Sequence, residues 1–174
     1  MAFRVHINIG SNKGDRHSAI ERAVALVAES PDITLEALSD PVTSPPWGFD
    51  STHPFLNVGA ELTTTLLPLT LLDRLQSIER SISPDSHRAP DGIRYVDRVI
   101  DIDIIAIDTV DSEIAQTMEY GAGTPLVIEH PRLRVPHPLM HLRTFVLTPM
   151  CQLRGSWRHP LFGLTPAEMI IHFC

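Results

Sequence analysis

The stretch that decides the fold is Asp97-Arg98-Val99-Ile100-Asp101-Ile102-Asp103-Ile104-Ile105-Ala106-Ile107. It is rich in β-branched residues, and polar and apolar residues alternate from Ile100 to Ile104, which predicts a strand over 97–107. Side chains two positions apart in a strand share a face. We therefore expect Asp101 and Asp103 to lie side by side, with Ile102 and Ile104 pointing into a core behind them.

The two aspartates have a spacing that suits a metal site. Their Cα atoms are expected to be about 6.5 Å apart, which lets the carboxylates converge on one divalent ion or hold two, as in two-metal phosphoryl transfer. Arg98 adds a cation three residues earlier. The alternative interpretation is an edge strand that carries solvated acids, and the strand alone does not decide between the two.

The rest of the chain predicts a strand-helix-strand-strand-helix-strand order. The predicted elements are a strand at 3–9, a helix at 16–29 with a Ser18–Glu21 capping box, strands at 33–44 and 55–63, and a helix at 68–82 with proline first. Residues 83–96 predict a long mobile loop and a candidate lid, and 108–124 an irregular insertion. A capping box at Thr165–Glu168 predicts a last helix ending near His172.

Length, composition and charge exclude several classes of protein. With 174 residues, 43% of them hydrophobic, the chain is expected to form one domain over 1–174. A net charge of −7 argues against nucleic acid as a partner. No apolar run approaches 18 residues and no signal peptide is evident, so we expect a cytoplasmic protein without a membrane partner. The turn-rich segment Gly10–Arg16 is not a P-loop, because no lysine follows Gly14.

Two further segments suggest binding surfaces. Residues 130–143 contain three histidines and three arginines without an acid, which predicts a local positive patch for a polyanion, or else scattered solvated arginines. Ser44-Pro45-Pro46-Trp47-Gly48-Phe49 combines stiff backbone with aromatic rings and predicts either a rigid apolar wall or a strand-terminating loop.

Together these stretches resemble the 6-hydroxymethyl-7,8-dihydropterin pyrophosphokinase family. The most specific set is Arg98-x-x-Asp101-x-Asp103 with the downstream Pro136-His137-Pro138 and Arg143-x-Phe145-Val146-Leu147. The remaining matching segments, in the family's order, are 10–15, 44–48, 55–57, 76–79, 130–133 and 159–160.

The resemblance implies an α+β, ferredoxin-like antiparallel sheet with helices packed against it. It also implies a folate-biosynthesis enzyme that transfers pyrophosphate from ATP to the hydroxymethyl group of 6-hydroxymethyl-7,8-dihydropterin and releases AMP. ATP and the pterin are small-molecule substrates, and two Mg²⁺ ions are the implied cofactors.

The resemblance also implies roles for individual residues. Asp101 and Asp103 match the Mg²⁺ ligands, and the implied catalytic set is Arg88, Arg98, Asp101 and Asp103. The implied ATP-binding residues are Gln76, Arg98, Ile104, Arg132, His137 and Arg143. The implied pterin-binding residues are Ser44, Pro45, Pro46, Trp47, Phe55, Asn57, Tyr95 and Phe145, where Phe55 and Phe145 would sandwich the ring and Asn57 would bond its polar edge.

The sequence departs from the family pattern at several positions. Tyr95 stands where many members have tryptophan, and Val96-Asp97 replaces a common Gly-Pro before Arg98. Either Arg88 or Arg94 could contact phosphate. Two other interpretations stay open: a two-metal phosphatase or nuclease, and a catalytically inactive ferredoxin-like interaction module. AMP release that requires the pterin would distinguish the three.

Overall fold

A computed structural model describes residues 1–84, 97–110 and 123–174. Seven elements precede the second gap: β1 Ala2–Ser11, α1 Arg16–Ala28, β2 Ile33–Leu38, β3 Val42–Ser44, β4 Phe55–Thr64, α2 Pro68–Ile82 and β5 Asp101–Val110. Six follow it: β6 Thr124–Pro125, β7 Ile128–His130, β8 Leu133–Val135, a 3₁₀ turn at Met140–Leu142, α3 Thr144–Arg154 and α4 Pro166–Phe173.

The main sheet is antiparallel and has the strand order β2-β4-β1-β5-β6, with β3 also paired to β4. The β1-α1-β2 and β4-α2-β5 units place β1 between β4 and β5, which is the ferredoxin-like arrangement. A separate hairpin is formed by β7 and β8. The α+β, ferredoxin-like prediction is therefore confirmed.

The sheet is covered on both faces. On one face the buried residues of β1, including Val5, Ile7 and Ile9, belong to the same core cluster as α1 and α2. A second cluster on the other face joins β5 to α3 and α4. A register shift between His6 and Ile7 makes a bulge at Ile105, so Ile104 and Ile107 both reach the first cluster while Ile105 reaches the second.

Several predicted boundaries were wrong. The strand predicted at 33–44 is two strands, because β2 and β3 pair with opposite halves of β4 and Pro41, which has no N–H to donate, lies between them. The strand β5 begins at Asp101 instead of 97, and residues 108–110 belong to it. The first helix is capped by Asp15, whose side chain accepts from the Ser18 N–H at 3.1 Å, instead of by Ser18.

Other expectations were met or lie beyond the described residues. The helix α2 has the predicted bounds with proline at its start, and α4 has the predicted capping box. Arg88, Arg94, Tyr95 and most of the mobile loop predicted at 83–96 lie outside the described residues, as do residues 111–122 of the insertion predicted at 108–124. Within the described ranges, no helix combines the length and apolar character needed to cross a membrane.

Candidate active site

The sheet register brings the predicted metal ligands and a predicted pterin residue onto one face. Gly10 of β1 lies opposite Asn57 of β4 on one side and opposite Asp101 of β5 on the other. Residues directly opposite on neighbouring strands project from the same face, and strands lie about 4.8 Å apart. Asp101 and Asn57 are therefore about 10 Å apart at the backbone, with a glycine between them.

Gly10 lies between Asp101 and Asn57 and forms an open floor, a stretch of sheet surface that no side chain covers. A Cβ atom at this position would lie 3.2 Å from Asn57 Oδ1 and 3.6 Å from Cδ1 of the Phe55 ring. The missing side chain therefore leaves space that a substrate group can occupy beside the Phe55 ring and the Asn57 amide.

The carboxylates of β5 face the site as predicted. Asp101 and Asp103 are half-buried, whereas Ile102 and Ile104 are buried on the opposite face. An Arg98 guanidinium nitrogen lies 2.5 Å from Asp101 Oδ1. Burial and the Asp103 charge raise the pKa of Asp101 to about 6, against the opposing effect of Arg98. Arg98 alone therefore does not compensate for the burial of Asp101 and the negative charge of Asp103 at this end of β5.

A third carboxylate, Glu79 of α2, contacts the same strand. Its Oε1 accepts the backbone N–H of Ile102, the residue between the two aspartates, at 2.6 Å. Burial and the charge of Asp101 raise the pKa of Glu79 to about 7. We did not predict Glu79 as a site residue, although its position three residues after Gln76 is the signal that could have found it.

A pocket of about 500 Å³ lies along β5, between α2 and the 131–138 segment. Its lining includes seven predicted site residues: Gln76, Arg98, Asp101, Asp103, Ile104, Arg132 and His137. Lining residues that we did not predict include Leu72, Glu79, Arg80, Leu133, Arg134 and Pro138. The fold therefore brings together most of the residues expected to bind ATP.

Arg143, also expected to bind ATP, lies near Asp101 and His137, because its charge acts on both groups. Its guanidinium carbon is 4.6 Å from the centre of the Trp47 ring and 5.8 Å from that of Phe145. Arg143 is only 5% exposed. It therefore packs against two residues expected to bind the pterin and is not part of the pocket lining described above.

His137 is held as a neutral hydrogen-bond donor. Its Nδ1 accepts the Leu139 N–H at 3.1 Å, so its ring hydrogen is on Nε2. Burial and the Arg143 cation lower the pKa of His137 to about 4. His137 therefore offers an N–H at neutral pH instead of a positive charge.

The positive patch predicted for 130–143 is partly neutralised, because the fold brings acids to two of its arginines. Arg132 is ion-paired with Asp73 of α2, and Arg134 Nε lies 2.8 Å from Glu129 Oε2. These partners are distant in sequence or precede the segment, so the local pattern did not contain them. Both arginines still line the pocket.

Three of the residues expected to bind the pterin lie at the start of β4: Phe55 and Asn57 belong to this strand, and Ser44 of β3 pairs with Phe55. Asn57 is buried and donates both amide hydrogens internally, to Ser44 Oγ at 3.0 Å and to the Val42 carbonyl at 3.2 Å. Its Oδ1 receives only a long contact of 3.4 Å from Asn8. Asn57 Oδ1 can therefore accept a hydrogen bond from a ligand, and Ser44 holds the Asn57 side chain in this orientation.

The expected aromatic residues form two groups. Phe55 lies beside Gly10 and packs edge-on against Phe49, with ring centres 6.2 Å apart. Trp47 and Phe145 both adjoin Arg143. Pro46 and Trp47 are half-buried and Pro45 is exposed. The pairing of Phe55 with Phe145 around a ring stays a prediction.

Comparisons with known proteins agree with this geometry. The family model described as 7,8-dihydro-6-hydroxymethylpterin-pyrophosphokinase (HPPK) matches residues 6–155. A 2-amino-4-hydroxy-6-hydroxymethyldihydropteridine pyrophosphokinase of Porphyromonas gingivalis is 34% identical over 156 residues, covering 90% of this chain and 93% of the relative. One of Pseudomonas aeruginosa is also 34% identical, over 92% of this chain and 86% of the relative.

Solved structures support the fold. The crystal structure of wild-type Plasmodium falciparum HPPK-DHPS with pteroate matches 99% of this chain with a TM-score of 0.68 and 11% sequence identity. This chain spans only 44% of that longer chain. On the strength of the family match over most of its length, the chain belongs to the 7,8-dihydro-6-hydroxymethylpterin-pyrophosphokinase (HPPK) family.

Proposed function

We propose that this chain transfers pyrophosphate from ATP to 6-hydroxymethyl-7,8-dihydropterin and releases AMP. The observation that carries the proposal is that Asp101, Gly10 and Asn57 lie opposite one another on three neighbouring strands. The Asp101 carboxylate and the Asn57 amide therefore share one face of the sheet, with no side chain between them. The names of the bacterial relatives support the choice of reaction and substrates.

Asp101 and Asp103 are proposed to hold two Mg²⁺ ions. Their all-oxygen donors suit Mg²⁺, and the crowding of Asp101, Asp103 and Glu79 suits a cation. Residues 1–84, 97–110 and 123–174 contain no group of three or more histidine, cysteine or acidic side chains that could hold a metal ion. The other ligands would therefore come from ATP and water. When bound, the ions would offset triphosphate charge and polarise the transferred group.

The pocket beside the aspartates is proposed to hold ATP. Arg98, already at the carboxylates, offers a planar fork for phosphate oxygens, and His137 offers its Nε2–H. Arg132 lies further along the same wall. Gln76 and the apolar Leu72, Ile104 and Leu133 provide a mixed surface that suits the base. Arg143 would contribute from the pterin side, where it packs on Trp47.

The pterin is proposed to lie over Gly10 and beside Phe55, with a ring N–H donated to Asn57 Oδ1. Trp47 and Phe145 would complete the apolar wall. Its hydroxymethyl oxygen then faces the Asp101 side of the sheet. This oxygen forms a bond to the β-phosphorus, and the bond from the β-phosphorus to the oxygen that bridges it to the α-phosphate breaks. AMP leaves with that oxygen and the electron pair, and the hydroxyl proton passes to solvent.

The experiment measures AMP formation from ATP with and without the pterin and Mg²⁺. The proposal predicts AMP only when ATP, Mg²⁺ and the pterin are all present. AMP or phosphate release without the pterin would instead indicate the two-metal phosphohydrolase, an alternative that the comparisons do not support. No product under any condition would indicate an inactive module.

A further inference from the structure

Asn12, in the glycine-rich segment after β1, joins two distant parts of the site. It is 2% exposed. Its Oδ1 accepts the Arg98 N–H at 2.7 Å, and its own N–H donates to the Arg98 carbonyl at 3.0 Å. Its Nδ2 donates to Asp97 Oδ1 at 2.7 Å and to the His53 carbonyl at 3.2 Å. One buried side chain therefore connects residues 53 and 97–98.

The Asp97 carboxylate also contacts both Asn12 and His53. Its Oδ2 lies 3.0 Å from His53 Nδ1, and its Oδ1 receives the Asn12 amide. Hydrogen bonds from Ser51, Asn12 and His53 lower the pKa of Asp97, so it is a carboxylate at neutral pH. We call the set Asn12, His53 and Asp97 the Asp97 bridge.

The Asp97 bridge connects the two halves of the proposed site. Residues 45–54, between β3 and β4, contain no helix or strand, and they include Pro45, Pro46 and Trp47 of the proposed pterin wall. On the other side, Arg98 follows Asp97 directly, and its guanidinium contacts Asp101. Other contacts of the segment within the described residues include the Arg16 hydrogen bond to the Pro54 carbonyl, Arg143 on Trp47 and Phe49 on Phe55.

We propose that Asp97 is a positioning residue that fixes the pterin wall of residues 45–54 relative to Arg98. This inference rests on the proposed function, and it concerns a position where the chain has an aspartate in place of the proline common in its family. Asp97 acts through His53 and Asn12. Its loss should therefore disturb pterin binding and transfer more than ATP binding.

The test compares three variants in steady-state kinetics. Asp97→Ala removes the contacts of the Asp97 carboxylate with both Asn12 and His53. Asp97→Asn keeps an oxygen acceptor for Asn12 but loses the charge. Asp32→Ala removes an exposed aspartate, which pairs loosely with Arg74 at 3.8 Å and is not part of the Asp97 bridge or the pocket lining. Thermal unfolding is measured for all three variants.

The expected result is a selective change in one Michaelis constant. Asp97→Ala should raise the pterin KM about tenfold and lower kcat severalfold, since it removes the hydrogen bonds that Asn12 and His53 make to a charged group. The ATP KM should stay within about twofold. Asp97→Asn should recover part of the loss, and Asp32→Ala should match the wild type. Unchanged kinetics in Asp97→Ala, or a loss of kcat with both KM values unchanged, would overturn the proposal.

A measurement without turnover separates this proposal from the proposed function. The chain has two tryptophans: Trp47 is half-buried in segment 45–54, whereas Trp157 is 8% exposed. Asp97→Ala should increase acrylamide quenching of tryptophan fluorescence, and Asp32→Ala should not. If the wild type makes no AMP but the quenching differs, the proposed function fails and the bridge stands. Equal quenching in Asp97→Ala and wild type contradicts the bridge.

Discussion

The central residue of the site, Asp101, is subject to opposing influences. Burial and Asp103 favour its protonated form, while Arg98 at 2.5 Å favours the carboxylate. The net result is a pKa of about 6, well above that of an ordinary aspartate. A metal ligand must be deprotonated, so if Asp101 binds Mg²⁺ as proposed, protons and Mg²⁺ compete for it close to neutral pH.

We therefore predict that Mg²⁺ binding weakens as the pH falls through 6. A carboxyl with a raised pKa takes up its proton in this range, so the apparent Kd for Mg²⁺ should be about tenfold higher at pH 5 than at pH 7.5. Calorimetry in buffers of different ionisation enthalpy should also detect proton release on binding near pH 6. A Kd that is constant from pH 7.5 to 5 would show that Asp101 does not bind the metal.

At the scale of the elements, the neighbouring strands β1 and β4 each contain a glycine with a different role. A Cβ at Gly10 would enter the open floor, whereas a Cβ at Gly59, on the neighbouring strand β4, would lie 2.5 Å from Pro149 Cβ in α3. The first glycine leaves room for a ligand, and the second lets α3 approach the sheet.

This difference predicts opposite phenotypes for two alanine variants. Gly10→Ala should raise the pterin KM by at least about tenfold with little change in stability, because one extra methyl group in a fitted pocket costs about 1–3 kcal/mol. Gly59→Ala should instead lower the free energy of unfolding by about 1–3 kcal/mol through overpacking. Urea denaturation and pterin KM measurements on both variants check this. A normal pterin KM in Gly10→Ala would contradict the position proposed for the substrate.

Sequence patterns predicted the helices and strands that are specified by residues close together in the chain. The alternation around Asp101 and Asp103 gave their shared face, and the proline at position 68 gave the start of α2. We did not predict α3, because its N-cap Arg143 makes no side-chain capping bond and Pro149 lies inside the helix. The contacts of Glu79 with Ile102 and of Arg132 with Asp73 depend on tertiary packing, so no local pattern contains them.

At the scale of the whole molecule, a buried charged layer joins the sheet to α3. Arg154 is 8% exposed, lies 3.4 Å from Glu61 and is ion-paired with Asp108. Glu61 also contacts His6 Nδ1 at 2.6 Å, and Trp157 Nε1 donates to Asp108 at 3.1 Å. Since burial penalises isolated charges, these groups depend on one another for compensation.

We predict that Arg154→Ala lowers the free energy of unfolding by about 3–5 kcal/mol, because it removes the cation paired with buried Asp108 and leaves buried Glu61 with the more distant Arg4. The matched control is Arg158→Ala, which breaks an exposed pair with Glu168 and a hydrogen bond to the Gly163 carbonyl and should lower stability much less. Urea denaturation measures both. Equal losses in the two variants would show that the buried layer contributes no more than a surface ion pair.

The most direct test of the whole account is a crystal of the protein with Mn²⁺, a non-hydrolysable ATP analogue and the pterin, examined by anomalous scattering. The account predicts manganese peaks bound by Asp101 and Asp103, the triphosphate in the pocket beside α2, and the pterin over Gly10. Asp103→Asn should lose at least one manganese peak while keeping its fold. Manganese bound elsewhere, with Asp101 still paired only to Arg98, would contradict the account.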